Sequence, residues 1–333
     1  MPGGGEAGTV KLLVLGGTVF LGHAIAAQAR DAGHDVTCAA RGRSGRVPDG
    51  VRLVHVDRDD PAALSALDGY DAVVDVARRP SHVRNAVSAL AGRTGHWTFV
   101  STASVYADNA TPGQRVSTAP LLTAAPPDVD DAEGDNYGPC KVSCEEAVPA
   151  AGVPSFICRA GLIVGPEDPF GRFDYWVSRV DRGGEILAPG SPDEPVQWVD
   201  VRDLAAWIIY AAETGLTGTY DGIGEPVTRA DLLRGLGAEP TLTWVDQDFL
   251  SAQGIQPWMG ERSLPMWLPL PEYAGLMCRD VSPSLAAGLV TRPLAETARD
   301  TLAWLATGPQ RTSPVGISPA DEAAVLKAWH SRA

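Results

Sequence analysis

Val10-Lys-Leu-Leu-Val-Leu-Gly-Gly-Thr-Val-Phe-Leu-Gly22 is the stretch that decides the fold. Its apolar run stops at Gly16-Gly17-Thr18, and apolar residues then recur with helical spacing at Leu21, Ile25 and Ala29. A buried strand, a tight glycine turn and a helix N-terminus form a binding site for a dinucleotide pyrophosphate. The glycines keep side chains away from the phosphates. The helix start supplies unpaired N–H groups and a partial positive charge. Gly22 lets the helix pack closely.

Outward from that stretch the pattern repeats. Strand-like runs fall at Asp35–Ala39, Val51–Val56, Ala72–Ala77, His96–Ser101 and Ser155–Arg159. Helix-like runs fall at Pro61–Leu67, His82–Ala91 and Tyr137–Ala147. Strands alternating with helices at this spacing predict an α/β fold, a Rossmann-type doubly wound parallel sheet with helices on both faces. Residues 1–9 read as a flexible tail and 10–160 as the dinucleotide-binding domain. Residues 161–333 read mainly as a smaller, irregular C-terminal substrate-binding domain. Parts of 195–222 are expected to return to the Rossmann core, through a helix at Asp200–Ala212 and a strand at Gly218–Asp221. Ala107–Asp135, rich in Pro, Ala, Asp and Thr, reads as a long loop, and long loops in compact domains are often functional. Ser263–Pro271 resembles a lid or a packing loop.

The chain has 333 residues, 44% of them hydrophobic and 20% charged, and a formal net charge of −14. So acidic a chain lacks the Lys/Arg excess that non-specific nucleic-acid binding needs, so no nucleic-acid partner is expected. Its five cysteines, Cys38, Cys140, Cys144, Cys158 and Cys278, are odd in number and form no CxxC pair. Neither a disulfide framework nor a metal site is indicated. With no apolar run long enough for a membrane span and no signal peptide at the start, a reducing cytoplasm is the expected compartment.

The chemistry-bearing residues come later. Tyr137-Gly-Pro-Cys-Lys141 puts a phenol and an ammonium four residues apart on one helix face. A tyrosine near its ordinary pKa is a poor acid–base group at neutral pH, and a nearby lysine lowers that pKa. Ser101-Thr102-Ala103-Ser104-Val105-Tyr106 lies at the carboxyl end of the fifth strand, where open α/β sheets bind ligands. At the end of the second strand, Ala39-Ala40-Arg41-Gly42-Arg43 offers two guanidiniums and no carboxylate. Arginine matches a phosphate bidentately, so NADP(H) is expected in preference to NAD(H). Asp57 and Arg58 would flank the adenine, and Val76 and Ala77 the adenosine ribose.

The glycine loop, the STASVY segment and YxxxK, in that order, resemble the extended short-chain dehydrogenase/reductase superfamily, in its NAD-dependent epimerase/dehydratase branch. Arg159-Ala-Gly-Leu-Ile-Val-Gly-Pro166 and Gln197-Trp-Val-Asp-Val-Arg-Asp-Leu-Ala205 are similar to two further segments of that branch. The resemblance implies a nicotinamide cofactor and hydride transfer. It makes Tyr137 the acid–base and Thr102 the residue that orients the substrate oxygen. Lys141 would hold the nicotinamide ribose and lower the tyrosine pKa. It implies cofactor contacts from Gly16, Gly17, Thr18, Phe20, Leu21, Gly22, Ala160, Gly161 and Leu162. Related enzymes often dimerise through helices beside the sheet, so a homodimer is compatible with it.

Three departures narrow the substrate. Ala103-Ser104 stands where family dehydratases carry an Asp-Glu pair. Leu162 replaces the usual asparagine of nucleotide-sugar enzymes, and Val196 their phosphate-binding arginine. An apolar residue cannot hold a diphosphate charge, although Arg172, Arg179 or Arg202 could compensate. Phe173, Tyr175, Trp176, Gln197 and Trp198 are the expected substrate-side residues by position, suited to a flat or apolar small molecule. The resulting expectation is an NAD(P)-dependent reductase of a small carbonyl or imine metabolite, with specialised metabolism as a setting. An NAD-dependent epimerase of a nucleotide sugar is the alternative. A non-catalytic dinucleotide-sensing or RNA-associated protein is the second.

Overall fold

The computed structural model describes residues 8–237, 239–308 and 315–332. Of the expected tail, residues 1–7 lie outside that set. The central sheet has seven parallel strands: β1 Lys11–Leu15, β2 Asp35–Ala40, β3 Arg52–His55, β4 Ala72–Asp75, β5 His96–Thr102, β6 Ser155–Ala160 and β7 Gly218–Gly222. Their spatial order is 3-2-1-4-5-6-7. The order therefore reverses between β1 and β4, and a crevice opens there beyond the carboxyl ends of the strands.

Alternation along each strand explains why both faces are covered. In β1, Leu12 and Val14 point to one face and pack with Leu21, Ile25 and Ala29 of helix α1 (Phe20–Asp31). That face is completed by Leu204, Trp207 and Ile208. Leu13 and Leu15 point to the other face, against Val83, Ala86 and Val87. In β5, Val100 joins the first face while Trp97 and Phe99 join the second. Each fully buried aliphatic chain of this kind contributes about 1.5–3 kcal/mol. Helices α2 (Pro61–Ser65), α3 (Pro80–Leu90) and α4 (Tyr137–Ala147) complete the layers before β6. The third helix begins at Pro80, two residues before His82, because proline suits the first helical position. From 107 to 133 the chain has no helix or strand, only an isolated bridge between Tyr106 and Leu121.

Residues after 160 gather a separate cluster, built on α5 (Arg172–Asp181) and a parallel pair of strands, Glu185–Pro189 and Thr241–Val245. The chain returns to the main sheet through α6 (Val201–Thr214) and β7. Leu264, Met266 and Trp267 are buried in the C-terminal cluster, so the 263–271 segment packs and is not a lid. All five cysteines are free, and the described residues hold no cluster suited to a metal ion.

The last helix, Pro319–His330, is fixed by one carboxylate. Glu322 is buried and accepts from Arg179 Nε at 2.7 Å, Arg182 Nη2 at 2.8 Å and the Leu187 amide at 3.1 Å. Removing one partner of a buried ion pair costs about 3–5 kcal/mol. Glu322→Ala should lower the urea midpoint, read by tryptophan fluorescence, by that much stability. An unmoved midpoint would show that this helix lies outside the cooperative core.

Candidate active site

The turn after β1 is shaped by its glycines. Gly16 and Gly17 have φ of +129° and +85°, which disfavours other residues. A Cβ on Gly17 would also stand 2.3 Å from Cys38 Sγ, and one on Gly22 would stand 2.8 Å from the Gly17 amide nitrogen. Gly22 thus brings α1 onto the turn itself. No side chain caps α1, so the first amides of the helix are open to a ligand. Leu21 turns its side chain into the hydrophobic core and can offer a ligand only its main chain. Phe20, at φ +39°, starts the helix and packs half-buried on the same cluster. Overpacking costs about 1–3 kcal/mol, and tenfold in affinity is about 1.4 kcal/mol. Gly22→Ala should therefore weaken dinucleotide binding about five- to hundred-fold in a fluorescence titration. Unchanged binding would mean that the turn does not form the phosphate cradle.

Beside that turn, at the point where the strand order reverses, lies a cavity of about 190 Å³. Its walls include Gly16, Thr18, Arg41, Arg43, Arg58 and His82, with Ala39, Val56 and Val76 as an apolar floor. No carboxylate is among its lining residues. Arg41 and Arg43 are exposed and have no ion-pair partner among the described residues. The loop bearing them folds back on the glycine turn, since a Cβ on Gly45 would meet the Thr18 carbonyl oxygen at 2.0 Å. Arg58 lines the cavity, but its guanidinium is held by both oxygens of buried Asp75, at 2.8 and 2.7 Å. It braces the wall rather than offering a free cation. Asp57, expected beside it at the adenine, is exposed, is not among the lining residues, and accepts a turn bond from the Asp59 amide.

The candidate acid–base group stands at the start of α4. Thr102 ends β5 close enough to the Tyr137 phenol to lower its pKa, and its hydroxyl accepts from the Ser104 amide at 3.2 Å. Gly138 makes that approach feasible: a Cβ there would be 2.4 Å from the Ser104 carbonyl oxygen. Burial pushes the Tyr137 phenol above its ordinary pKa, against the effect of Thr102. Arg78 adds a positive charge that opposes the effect of burial on the phenol. Lys141 is fully buried under the same helix. Its ammonium donates to the Ala77 and Val100 carbonyls at 2.7 and 2.6 Å and sits 4.1 Å from the Phe99 ring centre. Burial brings its pKa down to about 8.

The remaining expected contacts divide. Ala160 ends β6, and Gly161 is required by Ile223, which a Cβ would meet at 2.2 Å. Leu162 and Val196 are buried in the C-terminal cluster. So are Phe173 and Trp176, the latter donating to the Pro265 carbonyl at 2.7 Å; their spacing of three residues on α5 is that of a core stripe. Gln197 is fully buried and ties Gly224 to Arg279 through main-chain bonds. These three side chains hold the C-terminal part together and are not free to meet a substrate. Tyr175 is half-buried against Trp176, and Trp198 lines a separate cavity of about 220 Å³ with Asp203, Glu225 and Arg292. The substitutes for a lost phosphate arginine are engaged too: Arg179 with Glu322, and Arg202 with Asp200 and Asp300. Arg172 instead lies between the Phe170 and Trp258 rings.

Arg78 beside the phenol, His82 on the cavity wall and Gly138 against Ser104 are not among the residues that the sequence motifs single out. Arg78 follows β4, as ligand-facing residues do in such sheets. His82 and Gly138 act through tertiary approaches that no local pattern reports.

A parallel sheet with order 3-2-1-4-5-6-7, a glycine turn at the reversal point and a tyrosine facing the end of β5 define a dinucleotide-dependent enzyme of Rossmann type. The family model of the NAD dependent epimerase/dehydratase family matches residues 12–91 and 86–221, and the chain belongs to that family. Members of that family are NAD dependent. The chain is 33% identical over 150 residues to the 2'-dehydrokanamycin reductase of Streptomyces kanamyceticus. That match covers 44% of this chain and spans 40% of the length of the relative. Among solved structures it is similar to WbmG of Bordetella bronchiseptica in complex with NAD and UDP. There the TM-score is 0.66 at 16% identity, covering 90% of this chain and 95% of the other. It is also similar to UDP-N-acetylglucosamine 4-epimerase of Bacillus cereus, with a TM-score of 0.64 at 17% identity over 89% and 99% of the two chains. At these identities the structures share the fold. No described helix is long and apolar enough to cross a membrane.

Proposed function

We propose that this chain is an NAD(P)-dependent reductase of a small carbonyl or imine metabolite, with NADP(H) as the preferred cofactor. The observation that carries the reading is the placement of Tyr137, at the start of α4, beside Thr102 at the carboxyl end of β5. The glycine turn, the open start of α1 and the carboxylate-free cavity fit a dinucleotide with an extra phosphate. When bound, the cofactor supplies the hydride. Thr102 orients the carbonyl oxygen, and Tyr137 delivers the proton that oxygen needs as it becomes a hydroxyl. With its pKa raised by burial, the phenol is protonated at neutral pH, the state a proton donor needs. Lys141, held by two main-chain carbonyls, keeps a buried positive charge beneath the helix that bears Tyr137.

A nucleotide-sugar substrate is disfavoured by Leu162 and Val196. At 4% and 0% exposure they present no polar atom to a diphosphate. The Streptomyces relative is named for the reduction of 2'-dehydrokanamycin, so that compound is the first substrate to try. A reducing cytoplasm suits the five free thiols. The test is NADPH oxidation over a panel of ketones, aldehydes and imines including that compound, beside titration of UDP- and dTDP-sugars. Turnover of a carbonyl with no sugar-nucleotide binding supports the reading. Tightly held cofactor with sugar-nucleotide binding and no net oxidation would overturn it.

A further inference from the structure

The run from 128 to 135 carries five carboxylates: Asp128, Asp130, Asp131, Glu133 and Asp135. Among the described residues only Asp130 of these has an ion pair, and it makes three short bonds to the start of α3. Oδ2 accepts from Arg79 Nε at 2.7 Å and Ser81 Oγ at 2.6 Å; Oδ1 accepts from the Ser81 amide at 2.6 Å. Arg79, at the N-cap position, gives α3 no side-chain cap. Asp130 fills that role from a distant loop, accepting from an otherwise open helix amide at its positive end. These bonds hold Asp130 below the ordinary carboxylate pKa, against the effect of burial.

Contacts continue in both directions. Arg79 Nη1 lies 3.1 Å from His82 Nε2 and 3.3 Å from Asp59 Oδ2, and His82 also contacts Asp59 at 3.1 Å. His82 is a wall of the adenosine cavity. On the other side the loop rests on α4. The Cys140 thiol points at the Val129 and Asp131 carbonyls, the Ala125 amide donates to the Pro139 carbonyl at 3.0 Å, and Ser143 Oγ donates to the Ala125 carbonyl at 3.1 Å. Tyr137 opens that helix. The same 77–79 segment receives Lys141 and Cys144 from α4 and supplies Arg78 to the phenol.

We infer that Asp130 is a positioning residue: through Arg79 and His82 it ties the loop leading into Tyr137 to the adenosine cavity. This rests on the cavity being the adenosine site of the proposed reductase. Filling the cavity at His82 then steadies residues 123–136, and the phenol is set for proton delivery by the cofactor half that does no chemistry.

Adenosine 2′,5′-bisphosphate is the probe, because it lacks the nicotinamide half that would meet Tyr137. In the wild type its binding should slow hydrogen exchange in 123–136. In Asp130→Asn it should bind within about twofold of wild type but give no such slowing. The variant's kcat should fall about ten- to hundred-fold, the range for small misplacements of a reacting group, with KM for NADPH little changed. Asp130→Glu should recover part of the loss. Ser81→Ala, a milder cut at the same point, should give an intermediate kcat if Asp130→Asn does not fold. Exchange in 123–136 that ignores the bound probe, or wild-type kcat in Asp130→Asn, overturns the inference alone. A wild type that binds neither the probe nor NADPH overturns the reading of the cavity as well.

Discussion

Tyr137→Phe should lower kcat for carbonyl reduction by about a hundred- to ten-thousand-fold, the usual contribution of a positioned general acid. The substitution removes one oxygen and little volume, so α4 should keep its seat against Ser104. Dinucleotide affinity should stay within about twofold of wild type, because the cavity at the other end of the site lacks any contribution from this residue. Thr102→Val should act in the same direction with a smaller loss, since it removes the hydroxyl proposed to orient the substrate oxygen and leaves the proton donor in place. The wild-type rate should hold steady through neutral pH. The phenol's pKa is raised, so the protonated donor persists there and is lost only on the alkaline side. Stopped-flow NADPH oxidation at saturating substrate reads the variants. A Phe variant with wild-type kcat would take Tyr137 out of the chemistry and return the site to a binding role.

The sheet was legible because its information is local. Leu12-Leu13-Val14-Leu15 reads as a strand buried on both faces, and the alternation of its side chains between two helical layers follows from the pleat. Helix α4 is legible at Tyr137–Ala147 because Asp135 and Asn136 precede it as capping types and Pro139 falls in its first turn, where proline is tolerated. Function was less legible where it depends on approach between distant segments. Gly138 matters through the Ser104 carbonyl, thirty-four positions earlier in the chain, and a glycine in a helix gives no sign of what it lets in. The pairing of Tyr137 with Lys141 is a sequence pattern; the Ala77 and Val100 carbonyls that take the ammonium come from distant strand ends that no local pattern reports. Phe173 and Trp176 show the opposite error. Aromatic residues placed after a cofactor motif suggest a ligand surface, but a three-residue spacing on a helix more often marks a core.

Cofactor choice offers the other large effect. Exchanging both Arg41 and Arg43 for alanine should weaken NADPH binding about a hundred-fold and leave NADH binding within about twofold. A hydrogen bond to a charged group is worth about 1.5–3 kcal/mol. Both side chains are exposed, so the low end applies, about tenfold for each. The prediction is specific because these are the two guanidiniums of the cavity lining not held by a carboxylate among the described residues. Arg58 is committed to Asp75 through two hydrogen bonds, and Ala39 and Ala40 contribute no polar side-chain atom. The same reasoning gives a gain. Ala40→Asp, at the end of β2, would supply an acceptor for a free ribose 2′-hydroxyl and would repel a 2′-phosphate. Combined with loss of the two arginines, it should invert the preference toward NADH. Nicotinamide fluorescence titration of both cofactors separates the outcomes. Equal losses for NADPH and NADH would make the basic turn a general attractor for anions. Loss of NADPH alone would assign the 2′-phosphate to Arg41 and Arg43.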